Sequence, residues 1–389
     1  MLGGTGRHRD IIKIEMRAIV LPVRDLLQRE SDAECSVPWT QAIRQRQSER
    51  RKLRCWAMTR FAYFCGHEQW QPEVLVEHAQ LAEKAGFDLV VVSEHFHPWV
   101  DDTSAAGFAF STIGAMATAT DHIGFATGVT TPLWRYHPAV VAQAAATLDR
   151  LSGGRFHLGV GTGENINEGP LGYSFPKYAE RAARMDEALQ IMRRLLDGEK
   201  LSFDGDYYTT DRAKLYSPPL GEVPLWLAAG GPKSAALAAL RAQGVITSVR
   251  DPATTLERVV EPARAVAEAE GKPVPTLVTT HWTVFAQDDR EAWEALSAWR
   301  GLRAPGRLEA VDPEILRTRA DDLPRDEILS QYTIAASAQD IIDAYLPLVT
   351  DLAADVVTLQ MTSTDQPALI SLLGSEVLPA LKRSSRPPA

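Results

Sequence analysis

The stretch "RFHLGVGTGENINE", residues 155–168, decides between two architectures. A strand running into closely spaced glycines can open a dinucleotide-binding turn, which would place it in a doubly wound parallel sheet. The spacing here is G-x-G-x-G, not G-x-G-x-x-G, and no helix is expected directly after it. The proline-bearing "NEGPLGYSFPKY" (167–178) intervenes. The segment reads better as one strand of a closed α/β barrel, ending in a polar rim that includes Glu164 and Asn167.

Segments on either side repeat the pattern. "TRFAYFC" (59–65), "DLVVVSEH" (88–95), "HIGFATGVT" (122–130), "PLWLAA" (224–229), "VITSV" (245–249), "TLVTTHWTVFA" (276–286) and "DVVTLQMT" (355–362) are short apolar runs. Amphipathic stretches such as "QPEVLVEHAQLAEKAG" (71–86) separate them, that one closed by a glycine. Strands apolar on both faces are what a parallel sheet covered by helices requires. Eight such units predict a (β/α)₈ TIM barrel, with the doubly wound sheet as its competitor. Two stretches interrupt the rhythm. Residues 201–223 place a DG turn between aromatic β-formers and predict a hairpin inserted before the fifth strand. Residues 303–335 are charged and proline-punctuated, with no strand expected, and read as a lid over the mouth.

Bulk properties narrow the function. The 389 residues carry a formal charge of −9, which argues against nucleic acid and anionic membrane surfaces as partners. No apolar run approaches the roughly 20 residues of a membrane helix. Three cysteines give no paired framework, so a reducing, cytoplasmic compartment is expected. Residues 1–57 differ in holding 12 Lys and Arg against 7 Asp and Glu. No apolar run follows "RQRQSERRKLR" (44–54), so it is not a signal peptide. These residues read as a flexible or partly helical extension, or as sequence preceding a natural start at Met58. The second is preferred, because "MTRFAYFC" opens with a clean strand. The barrel domain is expected over 58–389.

In a (β/α)₈ barrel the C-terminal ends of the strands line the active site. Those ends gather Glu94, His95, His97 and Trp99; Gly128, Val129 and Thr131; Glu164 and Asn167; and "AAGGPK" with Gly230, Gly231 and Lys233. His95 and His97 with Glu94 could begin a zinc site, but no third ligand follows at a diagnostic spacing, so no metal is expected. A lone histidine at a strand end is commonly a hydrogen-bonded structural residue; the neighbouring acid and indole raise the functional reading. Two glycines before a helix starting near Pro232 offer backbone N–H groups to a phosphate, though a plain β-to-α turn uses the same residues. Gly128-Val129 could be only a bulge.

Taken together, "SEHFHPW", "TGVTTPLWRYHPAVVAQAAATL", "RFHLGVGTGENINE", "FDGDYY" and "VPLWLAAGGPKSA" resemble the luciferase-like flavin and deazaflavin oxidoreductases. Within them they are most similar to the coenzyme F420 branch that includes F420-dependent glucose-6-phosphate dehydrogenase. The resemblance covers Met58 to about Leu381. It implies a barrel that is commonly dimeric, so a homodimer is expected, and that binds F420 at the strand C-termini. His95 matches the histidine that exchanges a proton with substrate, Glu164 the catalytic carboxylate, and Trp99 the indole beside the reacting centre. Glu94, Gly128, Val129, Thr131 and Asn167 match cofactor contacts, the Gly128–Val129 peptide being often cis in relatives. Gly230, Gly231 and Lys233 match the loop for the phosphate tail.

The implied activity is hydride transfer between F420 and a small alcohol, carbonyl compound or activated alkene. The alternatives are an FMN-dependent monooxygenase of the same superfamily and a non-catalytic flavin-binding barrel subunit. Glucose 6-phosphate is disfavoured. Asp251 aligns with one phosphate-binding lysine and would repel the anion, Thr318 aligns with a second between Arg317 and Arg319, and a third cation has no counterpart around "LSQYTIAAS" (329–337). The expected "GDG"-like turn is replaced by "AQGVI" (242–246).

Overall fold

Alternate residues of each barrel strand enter two different cores, which explains why the strands look apolar on both faces. In β1 (Arg60–Cys65), Phe61, Tyr63 and Cys65 pack outward against the helices, while Ala62 and Phe64 point to the interior. β2 (Leu89–Val92) divides the same way, with Val90 and Val92 outward and Leu89 and Val91 inward. Successive Cβ atoms leave opposite faces of a strand, so both sets must be apolar when both faces are covered.

The computed structural model describes residues 58–385; the extension expected before Met58 lies outside them. The ring continues through β3 (Gly124–Thr127) and β4 (Phe156–Val160). The hairpin strands β5 (Leu201–Asp204) and β6 (Thr209–Ala213) pair antiparallel outside it. β7 (Leu225–Ala228), β8 (Gly244–Ser248) and β9 (Thr276–Phe285) lead on, past β10 (Thr333–Ala335), to β11 (Val356–Thr362). The parallel order β1-β2-β3-β4-β7-β8-β9-β11 closes on β1, with Arg60 opposite Val356 and Gly244 opposite Thr276. This is the eight-stranded barrel expected, and the hairpin precedes the fifth barrel strand.

Helix boundaries follow local chemistry. The helix Pro72–Ala85 starts on proline, whose missing N–H costs nothing in the first turn. It stops at Gly86, left-handed at φ 88°, whose N–H closes on the last carbonyls. The helix Pro232–Arg241 likewise starts with proline, after β7.

Two expectations need correction. A four-residue helix, Asn165–Glu168, begins immediately after β4's rim, too short to leave a periodic signal. The 303–335 stretch does contain a strand, because β9 runs ten residues and its upper half outlasts β8, whose pairing ends at Thr280, giving β10 an edge to pair with. The helices Pro313–Asp321 and Arg325–Leu329 complete the insertion. Its hydrophobic side joins the barrel's interior core through Leu316, Ile328, Leu329 and Tyr332. Arg300 fastens it electrostatically, reaching Asp102 at 2.6 Å and Asp321 at 2.8 Å.

Candidate active site

The glycines of "GVGTG" serve strand packing. A Cβ on Gly159 would overlap the Thr127 carbonyl of the neighbouring strand, and one on Gly161 would lie 2.7 Å from Val129 Cγ2. Gly163 takes φ +81°, left-handed backbone that a side chain would strain. The chain then turns so that Glu164 leaves the rim in extended conformation, with its carboxylate not spent on capping the helix behind it. The Gly128–Val129 peptide on the adjoining strand end is cis. Gly128 has no room for a side chain against Val91.

His95 is the centre of the constellation. Its Nδ1 lies 3.1 Å from the His97 carbonyl, an acceptor only, so this nitrogen carries a hydrogen. Nε2 faces two carboxylates, Glu68 Oε1 at 3.4 Å and Glu164 Oε2 at 3.8 Å. A proton arriving at Nε2 is therefore stabilised from both sides. The Trp99 indole meets the imidazole edge-on at 4.8 Å between centroids. Glu68 is itself fixed, accepting from Ser93 Oγ at 2.5 Å, while that oxygen accepts from the His67 N–H. His95, Glu164 and Trp99 are thus brought together from two strand ends 65 or more residues apart.

Glu94 lies beside them, but its carboxylate is engaged. It accepts from Arg135 Nη2 at 2.8 Å and Tyr136 Oη at 3.2 Å. Arg135 Nε also lies 3.4 Å from Glu168 Oε1. Burial raises the Glu94 carboxyl above its ordinary pKa, with Arg135 opposing. Glu168 is fully buried, neither oxygen finds a hydrogen-bond partner, and burial pushes its pKa up to about 7 against the pull of Arg135. Asn167 accepts from the Phe96 N–H at 2.8 Å, which clasps the β2 and β4 loops together and leaves its amide hydrogens available. Thr131 is buried beside Gly163.

On the far side, Gly231 caps the helix Pro232–Arg241 and Lys233 is exposed in its first turn. The N–H groups of Gly230 and Gly231 make no hydrogen bond with described residues. Arg258 Nη2 stands 3.7 Å from where a Gly231 Cβ would be, adding a second cation to this loop. Orphan N–H groups at a helix start, flanked by cations, are chemically suited to hold a phosphate.

Residues 56–355 match the family described as luciferase-like monooxygenase. The chain belongs to the luciferase-like family. Its similar relatives include F420-dependent enzymes. It is 34% identical over 328 residues to an F420-dependent glucose-6-phosphate dehydrogenase of Nakamurella multipartita, covering 83% of this chain and 96% of the relative. It is 37% identical to an F420-dependent hydroxymycolic acid dehydrogenase of Mycobacterium tuberculosis, covering 81% and 86%. The solved structure of an F420-dependent secondary alcohol dehydrogenase in complex with an F420–acetone adduct superposes with TM-score 0.78 at 33% identity, covering 84% and 99%. The tetrahydromethanopterin reductase of Methanopyrus kandleri, at 20% identity and TM-score 0.69, shares the fold.

Beside the luciferase-like site opens a cavity of about 680 Å³, lined by Glu164, Trp282 and residues of the insertion, among them Arg307. Arg307 pairs with Glu164 at 2.6 Å and lies 5.6 Å over the Trp99 ring. Sequence reading missed Glu68, Arg135, Glu168 and Arg307; an acid directly after a strand end, as in "CGHE" (65–68), was the one available signal. The expectation that Asp251 faces the substrate is corrected. It is exposed, and caps the next helix by accepting from the Thr254 N–H at 2.7 Å; its neighbour Arg250 lines the cavity instead. The arginines flanking Thr318 are occupied elsewhere, Arg317 with Asp101 and Arg319 with the carbonyls of Pro305 and Gly306. His97 contacts the Val311 carbonyl at 3.1 Å and ties the β2 loop to the insertion.

Proposed function

We propose that this luciferase-like protein is an F420-dependent oxidoreductase that interconverts a small alcohol and its carbonyl compound, or reduces an activated double bond. The observation that carries the reading is His95, with Nε2 between Glu68 and Glu164 and Trp99 against its ring. It lies at the barrel mouth of a chain similar over most of its length to F420-dependent dehydrogenases.

The residues present fit such a cofactor. Gly230, Gly231, Lys233 and Arg258 offer unpaired N–H groups and cations for a phosphodiester tail. Thr131, Val129 and the free amide hydrogens of Asn167 flank the ring position, and the Glu94–Arg135–Glu168 group stiffens the wall behind them. Bound F420 would supply the hydride acceptor, or in reverse the donor.

The chain's own side chains then manage the proton. During alcohol oxidation the hydroxyl proton must leave as the carbinol hydride departs, and His95 Nε2 accepts it. Glu68 and Glu164 stabilise the imidazolium that results, while the His97 carbonyl holds the ring by Nδ1. In the reducing direction His95 returns that proton to the carbonyl oxygen. Trp99 closes one side of the pocket and excludes water.

Anaerobic titration with F420 and with FMN, followed by an alcohol, ketone and enone panel under deazaflavin absorbance, tests the reading. Tight F420 binding with hydride transfer to at least one panel member is expected. Tight FMN binding with oxygen consumption, and no affinity for F420, would overturn it. A homodimer, expected from the resemblance, is tested by light scattering.

A further inference from the structure

We infer that His67 is a positioning residue for the proton-exchanging centre: it fixes Ser93 so that the Glu68 carboxylate is held against His95 Nε2, and it anchors that arrangement to Thr112 on the helix Ala109–Ala119. The inference rests on the reading of His95 as the group that exchanges a proton with substrate, and it adds a residue that acts through others.

His67 is fully buried, and both of its ring nitrogens are used. Nδ1 lies 2.8 Å from the Ser93 carbonyl, which only accepts, so Nδ1 carries a hydrogen. In the neutral ring Nε2 is then an acceptor, and Thr112 Oγ1 donates to it at 2.9 Å. Burial is the main cause that lowers the His67 pKa, and it keeps this ring neutral. The backbone N–H of the same residue donates to Ser93 Oγ at 2.8 Å. Ser93 is thus held at its hydroxyl and its carbonyl, and its own N–H donates to the Cys65 carbonyl at 3.0 Å. Gly107 closes over the imidazole, since a Cβ there would come within 2.5 Å of His67 Cδ2.

The consequence reaches His95 through one hydroxyl. Ser93 Oγ accepts from His67, so its hydrogen is directed at Glu68 Oε2, 2.5 Å away, and Glu68 Oε1 stands 3.4 Å from His95 Nε2. The Ala105 N–H holds the Glu68 carbonyl at 3.1 Å. Glu68, Ser93 and Thr112 are all buried, so none of them can turn to water for a replacement partner. The other charged or titratable groups about His95 are Glu94 beside it, and Glu164 with its partner Arg307. Glu164 is shared with Arg307, whereas Glu68 pairs with no arginine or lysine among the described residues. A buried carboxylate acts on a nearby charge with little screening, so where Glu68 sits sets how strongly an imidazolium at His95 is stabilised. Two of the three hydrogen bonds of His67 go to the one serine that orients this acid, which separates it from a histidine that merely fills the core.

The test is an NMR titration of the cofactor-free full chain carrying isotope-labelled histidine, with the His95 resonance assigned by its loss in His95→Ala. Wild type is compared with His67→Leu, Thr112→Val and Thr112→Ser, each also assayed for F420 affinity and for a single turnover from a secondary alcohol. In His67→Leu the His95 midpoint is expected to fall by about one pH unit and the single turnover by about tenfold, with F420 affinity within about twofold. Thr112→Val removes only the far hydroxyl and is expected to move the midpoint the same way by about 0.3 unit, while Thr112→Ser keeps the wild-type value. An unchanged midpoint in both His67→Leu and Thr112→Val would overturn the inference, and a shift in His67→Leu alone would overturn the anchoring to Thr112. If His67→Leu does not fold, the Thr112 pair decides: a shift in Thr112→Val that Thr112→Ser lacks supports the inference, and no shift, or one shared by both, overturns it. F420 turnover with no midpoint shift defeats this inference alone. A midpoint shift in a protein that neither binds F420 nor transfers hydride defeats the cofactor reading and leaves the positioning of Glu68 standing.

Discussion

Around the barrel mouth, the ends of β1 to β4 carry charges that answer one another, whereas Arg250 after β8 and Arg303 in the insertion face no acid among the described residues. On the first side Glu68, Glu94, Glu164 and Glu168 face His95 and Arg135 within hydrogen-bond or ion-pair distance. On the second, Arg250 and Arg303 have no acid partner among described residues. The first set stands on strand ends whose positions the closed ring fixes, and hydrogen bonds between loops, such as Asn167 to the Phe96 N–H, hold it there. The second stands largely on an addition to the ring. The His95 constellation is thus held by the barrel itself, and the cavity beside it is walled largely by what was attached to the barrel.

The contrast can be broken from either side. The largest effect is expected from His95→Ala: turnover falls by about 10²–10⁴ while F420 affinity stays within a few-fold, read from kinetics and cofactor titration together. Glu164→Gln comes next, at about 10²-fold in turnover, because the neutral amide keeps the shape but stabilises the imidazolium less.

Glu168 tests whether the answered side is built at a cost. Its carboxyl, pushed up to about 7 by burial, holds a proton that the unfolded chain has already released. The stability tied to that proton is fully present below about pH 4.5 and is lost as pH rises through 7. Glu168→Gln should therefore lose less stability than wild type between about pH 5 and pH 8, by about 2 kcal/mol in denaturant unfolding. An identical pH slope would mean that Arg135 keeps the group ionised throughout. The smallest effect is expected from Lys233→Ala, about fivefold in F420 affinity with turnover at saturation unchanged, since an exposed cation contributes modestly to holding a phosphate.

The same contrast explains what could be read in the sequence. All eight ring strands were legible because burial on both faces writes a continuous apolar run, and turns or proline bound each one. His95, Trp99 and Glu164 were legible because they end such runs within longer matching motifs. Glu68 was not. It follows β1 by three residues, and its meaning comes from Ser93 and His95 on the neighbouring strand end, a parallel contact that leaves no local pattern. Asn165–Glu168 and β10 are too short to show a period. Asp251 was misjudged through a single position: it is spent on capping the next helix, and Arg250 beside it lines the cavity. Arg303 ends a single 3₁₀ turn, Arg300–Arg303, and Arg307 follows it, too short a stretch for sequence to show which of the two meets an acid.

The most direct measurement is the pH dependence of a single turnover from a secondary alcohol to saturating F420, in wild type and His95→Ala, with cofactor affinity determined on the same samples. The account requires the wild-type rate to rise with pH to a plateau as one base loses its proton, and the variant to be slow and to lack that ionisation at near-native affinity. A variant that keeps the wild-type profile, or one whose rate and affinity fall together, would contradict it.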